Sequence, residues 1–237
     1  MKSKQSGVSE IYNNGSYLTN NGTWHVEDSP WKASQISKII IKNNIQINNI
    51  CEVGCGAGEI LRQLSLYSHF SNVQFTGYEV SKDAYSLCMN RASEMLSFEF
   101  TDILLEDVIY DIALCIDVFE HVEDYMGFLK KLHSKAKYKI FHIPLDLSVS
   151  SILRNALVDV RSSVGHLHYF TPSTALETLS DCGYEIIDTM YTPTFADIPA
   201  KKIKTKIAKL PRHILYKISP KLMSTLLGGC SLMVITK

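Results

Sequence analysis

An acidic residue and three glycines lie close together in the stretch ICEVGCGAGEIL, at residues 50–61. The stretch predicts a short buried strand, a turn and the start of a helix. Gly54, Gly56 and Gly58 lack a Cβ, so the turn can adopt positive φ and let a ligand lie against the backbone. Glu52 lies at the carboxyl end of the strand, where open α/β sheets bind ligands. Its negative charge favours a cationic ligand over a pyrophosphate.

Further acidic residues follow the next predicted strands. Glu79 comes after the second strand, 21 residues beyond Gly58. In a doubly wound sheet an acid at this position accepts hydrogen bonds from ribose hydroxyls. Asp102 follows a short third strand, and Asp117 follows a continuous apolar run that is typical of a buried parallel strand. Because the carboxyl ends of parallel strands meet at one edge of a sheet, these acids are expected to surround one ligand.

The E-x-G-x-G-x-G spacing, together with the sequence DVFEHV at 117–122, resembles the first and fourth motifs of class I S-adenosylmethionine (SAM) methyltransferases. The resemblance covers about residues 45–190. It implies a Rossmann-like, doubly wound α/β sheet, mostly parallel with an antiparallel last strand. It also implies SAM as the cofactor, with its methionine end at the glycine turn, its ribose at Glu79 and its adenine at Asp102. The residues that this resemblance places at the cofactor are Glu52, Gly54, Cys55, Gly56, Gly58, Glu79, Val80, Asp102, Ile103, Asp117 and Val118.

Two other classes of protein remain as alternatives. A nicotinamide-dependent oxidoreductase has the same type of sheet and the same use of Glu79. Its dinucleotide motif, G-x-G-x-x-G, is one residue longer than the turn in this chain, and its pyrophosphate would face Glu52. A protein that binds SAM without catalysing methyl transfer is the second alternative. The glycine spacing and the D-x-x-E-H sequence favour the methyltransferase over the oxidoreductase.

The D-x-x-E-H spacing of Asp117, Glu120 and His121 has a further interpretation. Some similar methyltransferases have E-x-x-E-H at this position and bind a divalent metal, often with the help of a later histidine; here His166 and His168 follow. Carboxylate oxygens and imidazole nitrogens suit Mg²⁺ or a first-row metal. The alternative, which we favour on the sequence, is that Glu120 and His121 shape the SAM and acceptor pocket without a metal.

A long connection at 145–172 follows the fifth predicted strand, and long loops in compact domains are often functional. It contains GHLHYFTP, which resembles a stretch beside the acceptor site of related methyltransferases. His166 can take a proton from an acceptor hydroxyl because imidazole titrates near neutral pH, whereas His168 is expected to hold the loop. We predict His166 and His121 as catalytic residues, and a hydroxyl of a small molecule or sugar as the acceptor.

The composition is that of an ordinary globular protein. The chain has 237 residues, a formal net charge of zero and a hydrophobic content of 46%. It can bury a core, and it has no overall positive charge to recruit a polyanion, so no nucleic-acid partner is expected. The six cysteines form no C-x-x-C pair, and the sequence shows neither a signal core nor a transmembrane run. These features predict a cytoplasmic protein.

The charge is unevenly distributed. Residues 195–237 contain eight Lys, one Arg and one Asp, which gives a net charge of +8. Between 195 and 227 these basic residues alternate with Ile and Leu, a pattern typical of an amphipathic helix that contacts a membrane surface or an anionic substrate. The alternative is a helical flap whose lysines face solvent.

Strands and helices in alternation must position these residues. The predicted strands are 49–53, 73–78, 97–100, 110–116, 138–144, 184–192 and 230–236, and the predicted helices between them are 58–69, 82–95, 124–136, 150–160 and 173–182. We divide the chain into an N-terminal segment with a lid helix (1–46) and a SAM-binding methyltransferase domain (47–237) with a basic helical insertion at about 195–227.

The lid helix is predicted from Pro30 to about residue 44. Trp24, His25 and Trp31 at its start are expected to cover the cofactor or to line the acceptor site. The alternative is that the two tryptophans anchor the helix to the core. The stretch that contains them is also similar to methyltransferases of bacterial polysaccharide biosynthesis, which implies a surface polysaccharide as one possible setting.

Overall fold

A seven-stranded mixed sheet forms the centre of the protein in the computed structural model, which describes residues 26–197 and 209–237. The strand order is β3-β2-β1-β4-β5-β7-β6, with β1 to β5 parallel and β7 antiparallel to both of its neighbours. The strands are β1 (Asn49–Val53), β2 (Gln74–Tyr78), β3 (Leu96–Glu99), β4 (Tyr110–Ile116), β5 (Ala136–Pro144), β6 (Ile186–Thr192) and β7 (Ser231–Thr236). This confirms the predicted fold class, including the antiparallel last strand.

Helices cover both faces of the sheet. They are α1 (Ser29–Lys42), α2 (Glu59–Ser65), α3 (Lys82–Cys88), α4 (Tyr125–Leu132), α5 (Val149–Leu153), α6 (Ala156–Val164), α7 (Pro172–Asp181), α8 (Thr194–Asp197), α9 (Lys209–Ile218) and α10 (Pro220–Leu227). Two apolar clusters result, one on each face. Helices α1 and α2 supply one cluster, and α4, α7 and α10 supply the other. The central strand β4 is buried between them, which explains its uninterrupted apolar run from Ile112 to Ile116.

The ends of the helices follow local capping chemistry. Helix α7 begins at a capping box in which Thr171 and Thr174 exchange side-chain to backbone hydrogen bonds, with Pro172 in the first turn. Strand β5 ends at Pro144, as predicted, because proline has no N–H to continue the ladder. Gly183 follows the C-cap residue of α7 and has a φ of +92°, a conformation typical of a glycine that ends a helix.

Several predicted helices are shorter in the structure. The helix expected over 58–69 ends at Ser65, and that expected over 82–95 ends at Cys88. The helix expected over 150–160 is divided into α5 and α6 at Asn155, whose φ of +53° interrupts the helical path. Trp24, His25 and residues 198–208 of the insertion lie outside the described residues.

Only short helices occur in the parts of the chain that the structure describes, and none of them combines the length and apolarity needed to cross a bilayer.

Candidate active site

The glycine turn lies between β1 and α2, as predicted. Gly54, Gly56 and Gly58 have φ values of +61°, +56° and +76°, which side chains with a Cβ rarely adopt. At Gly58 there is a second constraint, because a Cβ would lie 2.5 Å from ring carbons of Phe98. The amide of Cys55 donates to the carbonyl of Tyr78 (3.0 Å), which fixes the turn to the end of β2. The turn therefore exposes backbone at the sheet edge and tolerates little change.

Glu52 is a buried carboxylate at the end of β1. It is 2% exposed, and its Oε2 has no hydrogen-bond partner among the described residues. Burial raises the pKa of Glu52 well above its usual range; Lys32 opposes this shift and Glu79 adds to it. A buried carboxylate of this kind is costly unless a cation pairs with it. The ammonium group of the methionine end of SAM has the charge that this position requires, so the site fits the cofactor.

Glu79 connects the glycine turn to the end of β2. Its Oε2 accepts a hydrogen bond from the amide of Gly56 (2.8 Å), and its Oε1 accepts from the amides of Val80 (2.8 Å) and Ser81 (2.7 Å). Burial nevertheless raises the pKa of Glu79, because it outweighs the three amides. The carboxylate lies beside the turn, where the sequence predicted it. Its contact with a ribose stays a prediction.

The residues after β3 and β4 complete this edge. The Oδ1 of Asp102 accepts from the amide of Leu104 (2.9 Å), and Ile103 is fully buried. Val118 lies close to the turn, with a methyl carbon 3.4 Å from the position of a Cβ on Gly54. These residues lie at strand ends as the sequence indicated, and their assignment to adenine or to the pocket wall stays a prediction.

Asp117 forms an ion-pair network that the sequence did not predict. Its carboxylate contacts Lys32 Nζ (2.7 Å) and His142 Nδ1 (2.6 Å), and His142 Nε2 lies 2.9 Å from Thr192 Oγ1. Burial alone would raise the pKa of Asp117, but His142 and Lys32 outweigh it and hold the pKa far below its usual range. The carboxylate of Asp117 is therefore engaged within the chain. The ring of Trp31 packs edge-on against His142 at 6.1 Å.

A second group of polar residues follows β4 and meets the loop after α6. Glu120 is 1% exposed, and neither of its carboxylate oxygens has a hydrogen-bond partner within the described ranges. Its Oε1 lies 4.0 Å from His121 Nε2. Its main-chain carbonyl accepts from the amides of Leu167 (2.8 Å) and His168 (3.1 Å), which holds the loop in place. Burial raises the pKa of Glu120 well above its usual range, and Asp117 adds to this shift.

Two imidazoles lie beside Glu120. The rings of His121 and His166 are 4.7 Å apart in an edge-to-face arrangement. His166 Nδ1 lies 2.5 Å from Asp146 Oδ2, and His121 Nδ1 lies 3.2 Å from the carbonyl of Gly165. Burial, with the proximity of His166, lowers the pKa of His121 to about 4. His121 is therefore neutral at pH 7, and Asp146 is in position to orient His166.

Ligand-type atoms of Glu120, His121 and His166 lie within 4.8 Å of one another. A carboxylate oxygen and two imidazole nitrogens suit a divalent cation, and the unpartnered oxygens of Glu120 fit that interpretation. Asp117 is not part of this group, because its carboxylate is held by Lys32 and His142. The structure thus separates the first residue of the D-x-x-E-H sequence from the other two.

The sequence predicted the role of His168 but did not identify Asp146. His168 is turned to the loop, with Nε2 bonded to the carbonyl of Val122 (3.0 Å) and its ring beside Tyr125, as expected for a supporting residue. Asp146 was not predicted, although it follows β5 at the sheet edge. Its position after a strand end is the same signal that identified Glu79 and Asp102.

The mostly parallel sheet, its antiparallel last strand β7 and the glycine turn define a class I methyltransferase fold. Residues 29–189 match the model of a family described as a methyltransferase domain. Because this match covers more than half of the chain, the protein belongs to that family and is a class I SAM-dependent methyltransferase. Its cofactor is SAM. No curated protein matches the sequence.

Several solved structures share the fold at low sequence identity. The magnesium protoporphyrin IX methyltransferase of Synechocystis PCC 6803, with bound S-adenosylhomocysteine (SAH), is 15% identical, with a TM-score of 0.57 over 87% of this chain and 81% of that one. A mycolic acid cyclopropane synthase with SAH is 18% identical (TM-score 0.59; 87% and 85% covered). A plantazolicin methyltransferase with a desmethyl analogue and SAH is 15% identical (TM-score 0.52; 98% and 89% covered). Their acceptors differ, so the shared fold does not specify the acceptor.

Proposed function

We propose that the protein transfers a methyl group from SAM to a hydroxyl of a small molecule or sugar. The observation that carries this proposal is the close pair of His166 and Asp146 beside the neutral His121. A hydroxyl must lose its proton when its oxygen is methylated, and an imidazole oriented by a carboxylate is a group suited to take it.

The cofactor would be held along the edge formed by β1 to β4. Glu52 would pair with its ammonium group, the turn at Gly54–Gly58 would lie against its methionine end, and Glu79 and Asp102 would hold its ribose and adenine. SAM, when bound, supplies a methyl group on a positively charged sulfonium. The task of the chain is to hold an acceptor oxygen in line with that methyl group, because alignment replaces a bimolecular encounter.

His166 would act as the general base. If its Nδ1–H donates to Asp146, its Nε2 carries the lone pair that accepts the acceptor's proton. Asp146 then stabilises the imidazolium that forms. The neighbouring His121 stays neutral because its pKa is about 4, so no second positive charge opposes the one that develops on His166.

The setting of the reaction is proposed from the solved neighbours, the N-terminal stretch, the cysteines and the basic helices. The solved neighbours are named for a porphyrin, a mycolic acid and plantazolicin, so the fold accommodates acceptors of different chemistry. The resemblance of the segment before α1 to polysaccharide methyltransferases supports a sugar. All six cysteines are free thiols, which supports a reducing cytoplasm. The basic helices near the C-terminus would contact a membrane or an anionic substrate.

Transfer of a labelled methyl group from SAM to a panel of sugars and small alcohols tests the proposal. In His166→Gln and Asp146→Asn proteins kcat should fall, by about 10²- to 10⁴-fold for His166, while SAH binding measured by calorimetry stays unchanged. His168→Gln is the matched control and should keep most of its activity, because that imidazole supports the loop. SAH binding without any turnover across the panel would instead indicate a regulatory SAM-binding protein.

A divalent cation site is a second use of the same residues. The observation that favours it is the buried Glu120, which lies next to His121 and His166 and whose two oxygens accept no hydrogen bond in the described structure. These three residues would hold the cation, which would lower the pKa of a coordinated acceptor hydroxyl. Titration of the metal-free protein with Co²⁺, followed by its visible absorption, tests this directly. Binding that is lost in Glu120→Gln supports the site, and absence of any Co²⁺ signal rejects it.

A further inference from the structure

Helix α9 carries apolar residues on two sides. On the inner side Leu215 and Tyr216 pack against the core, and the Tyr216 hydroxyl donates to the carbonyl of Tyr191 (3.1 Å). On the outer side Leu210, Ile214 and Ile218 recur every fourth residue and so form one row along the helix. These three side chains are 69%, 56% and 72% exposed. A surface helix normally presents polar residues on its outer side, so this apolar row indicates a contact with another molecule or with a membrane.

The neighbouring helices continue the apolar surface. Helix α10 packs against α9, and Arg212 Nη2 of α9 donates to the carbonyl of Leu227 at the end of α10 (3.0 Å). Leu222 of α10 is exposed, and so are Ile152 and Leu153 of α5, which packs against α10. Of the seventeen large hydrophobic side chains exposed in the described residues, nine belong to residues 149–158 or 210–226. Exposed apolar area is therefore concentrated here.

The charge of these helices has one sign. The sequence from 209 to 227 contains three lysines and one arginine and no acidic residue. Lys217 on α9 and Lys221 on α10 are both exposed, one residue before and three residues after Ile218. Arg212, which is partly buried, has its pKa lowered by burial and further by Arg154, the residue that follows α5. Like charges thus converge here, and an anionic partner would relieve their repulsion.

We propose that this face docks onto the surface of an anionic lipid bilayer. The basic–aliphatic face consists of Leu210, Ile214, Ile218 and Leu222 with Lys217 and Lys221. Helices that lie in a bilayer interface combine aliphatic side chains, which enter the acyl boundary, with lysines that meet anionic head groups. Protein interfaces instead favour aromatic residues and Arg and are depleted in Lys. The composition of the face therefore matches a bilayer better than a protein partner.

The face adjoins the acceptor side of the site. Helix α5 starts three residues after Asp146, and α6 ends immediately before the loop that carries His166. Docking would therefore place the loop with the proposed base close to the lipid surface. Bilayer docking by the basic helices does not depend on methyl transfer to a hydroxyl. Experiments can therefore contradict either proposal while supporting the other.

Sedimentation of the full chain with vesicles tests the proposal. We expect binding to vesicles of phosphatidylcholine with phosphatidylglycerol, weaker binding in high salt, and little binding to phosphatidylcholine alone. Lys217→Glu with Lys221→Glu should weaken the partition coefficient by at least about 30-fold, since each lysine near an anionic surface contributes about fivefold. Leu210→Ser, Ile214→Ser and Ile218→Ser together should weaken it by at least about tenfold.

Leu105→Ser with Ile109→Ser is the matched control, because both side chains are strongly exposed far from these helices in the sequence. This variant should bind vesicles like the unmodified chain. SAH affinity, measured by calorimetry, should be the same in all variants and verifies that each is folded. The proposal is overturned if the unmodified chain does not bind the anionic vesicles or if the serine variant binds them equally well. It is also overturned if the serine variant instead dissociates a dimer seen by light scattering.

Discussion

Replacement of Glu52 by Gln should stabilise the free protein and weaken its binding of SAH. The carboxylate at the end of β1 is 2% exposed, and its Oε2 lacks a hydrogen-bond partner among the described residues. In the free protein the ionised form of Glu52 lowers the free energy of unfolding, because burial removes the carboxylate from water. Burial for the same reason holds the pKa of Glu52 well above its usual range. Gln has nearly the same shape as Glu but no charge. The variant therefore avoids the unfavourable burial of a charge in the free protein, and it also lacks the carboxylate that would pair with the ligand's ammonium group.

The gain in stability depends on pH in a defined direction. The pKa of Glu52 is higher in the folded chain than in the unfolded chain, where it is about 4.3. Between these two pKa values the folded chain binds the proton more tightly, so the wild-type free energy of unfolding falls as pH rises. Gln does not titrate. Its advantage is absent near pH 4 and complete above the folded-state pKa, where we expect about 1–3 kcal/mol, or about 2–4 °C in Tm for each kcal/mol.

The loss in binding follows from one charged hydrogen bond. Such a bond contributes about 1.5–3 kcal/mol, so the Kd for SAH should rise by about 10- to 150-fold. At a SAH concentration 100 times the wild-type Kd, the ligand stabilises the wild-type protein by about 2.7 kcal/mol. For a variant that binds 100-fold more weakly, the same concentration gives only about 0.4 kcal/mol. Wild-type affinity should also increase with pH up to the folded-state pKa of Glu52, whereas the variant should lack that dependence.

Thermal unfolding with and without SAH, at pH 5 and pH 8, measures both effects, and calorimetry gives the two Kd values. Glu120→Gln is the matched control, since Glu120 is equally buried, has unpartnered oxygens and a raised pKa. It should stabilise the free protein at pH 8 but leave SAH binding unchanged. The reasoning is refuted if Glu52→Gln binds SAH as tightly as the wild type, or if Glu120→Gln weakens SAH binding to the same extent.

Two further substitutions test how the site is held. Lys32→Met removes one of the two partners of the Asp117 carboxylate and should lower the free energy of unfolding at pH 7 by about 1–3 kcal/mol, as measured in urea. Gly58→Ala combines an unfavourable φ of +76° with a Cβ placed 2.5 Å from the ring of Phe98. It should destabilise the SAM-free protein by about 2–4 kcal/mol in the same assay.

Each of these substitutions has a control elsewhere in the chain. Lys38 lies on the same helix as Lys32 but is exposed, so Lys38→Met should change stability by less than about 0.5 kcal/mol. Gly183 has a φ of +92° with no atom within 4 Å of a Cβ, so Gly183→Ala should incur about 1 kcal/mol from the backbone alone. If the alanine variants of Gly58 and Gly183 lose the same stability, contact with Phe98 is unimportant. If Lys32→Met and Lys38→Met lose the same stability, the ion pair with Asp117 is unimportant.

The sequence predicted the sheet and its ligand-binding edge well because both depend on local patterns. The apolar run of β4 has the length and continuity of a doubly covered strand, and its predicted bounds agree with the structure. The glycine turn is specified by three residues two positions apart, and all three have positive φ. Glu79 was found from its distance along the chain to that turn, and it contacts Gly56 of the turn.

The side-chain pairs that hold the site together could not be predicted from the sequence. Lys32 and His142 meet at Asp117 from an N-terminal helix and from β5, and no local pattern relates elements so far apart. The same applies to Asp146 and His166, which belong to two ends of a long connection. Helix ends were also predicted too far along the chain, because the apolar periodicity continues into the turns that follow α2 and α3.

Three acids, Glu52 at the end of β1 and Asp117 and Glu120 after β4, differ in whether the chain pairs them, and this difference has a consequence for function. Asp117 receives Lys32 and His142 from within the protein, whereas Glu52 and Glu120 have unpartnered oxygens in the described structure. A chain that supplies a lysine to the partly exposed Asp117 gains nothing by leaving the more deeply buried Glu52 and Glu120 without hydrogen-bond partners unless ligands pair with them. Because Lys32 belongs to α1, whose apolar side also packs on the sheet, this helix contributes to the site electrostatically as well as to the core. Loss of α1 should therefore disturb the end of β4 as well as any cover over the cofactor.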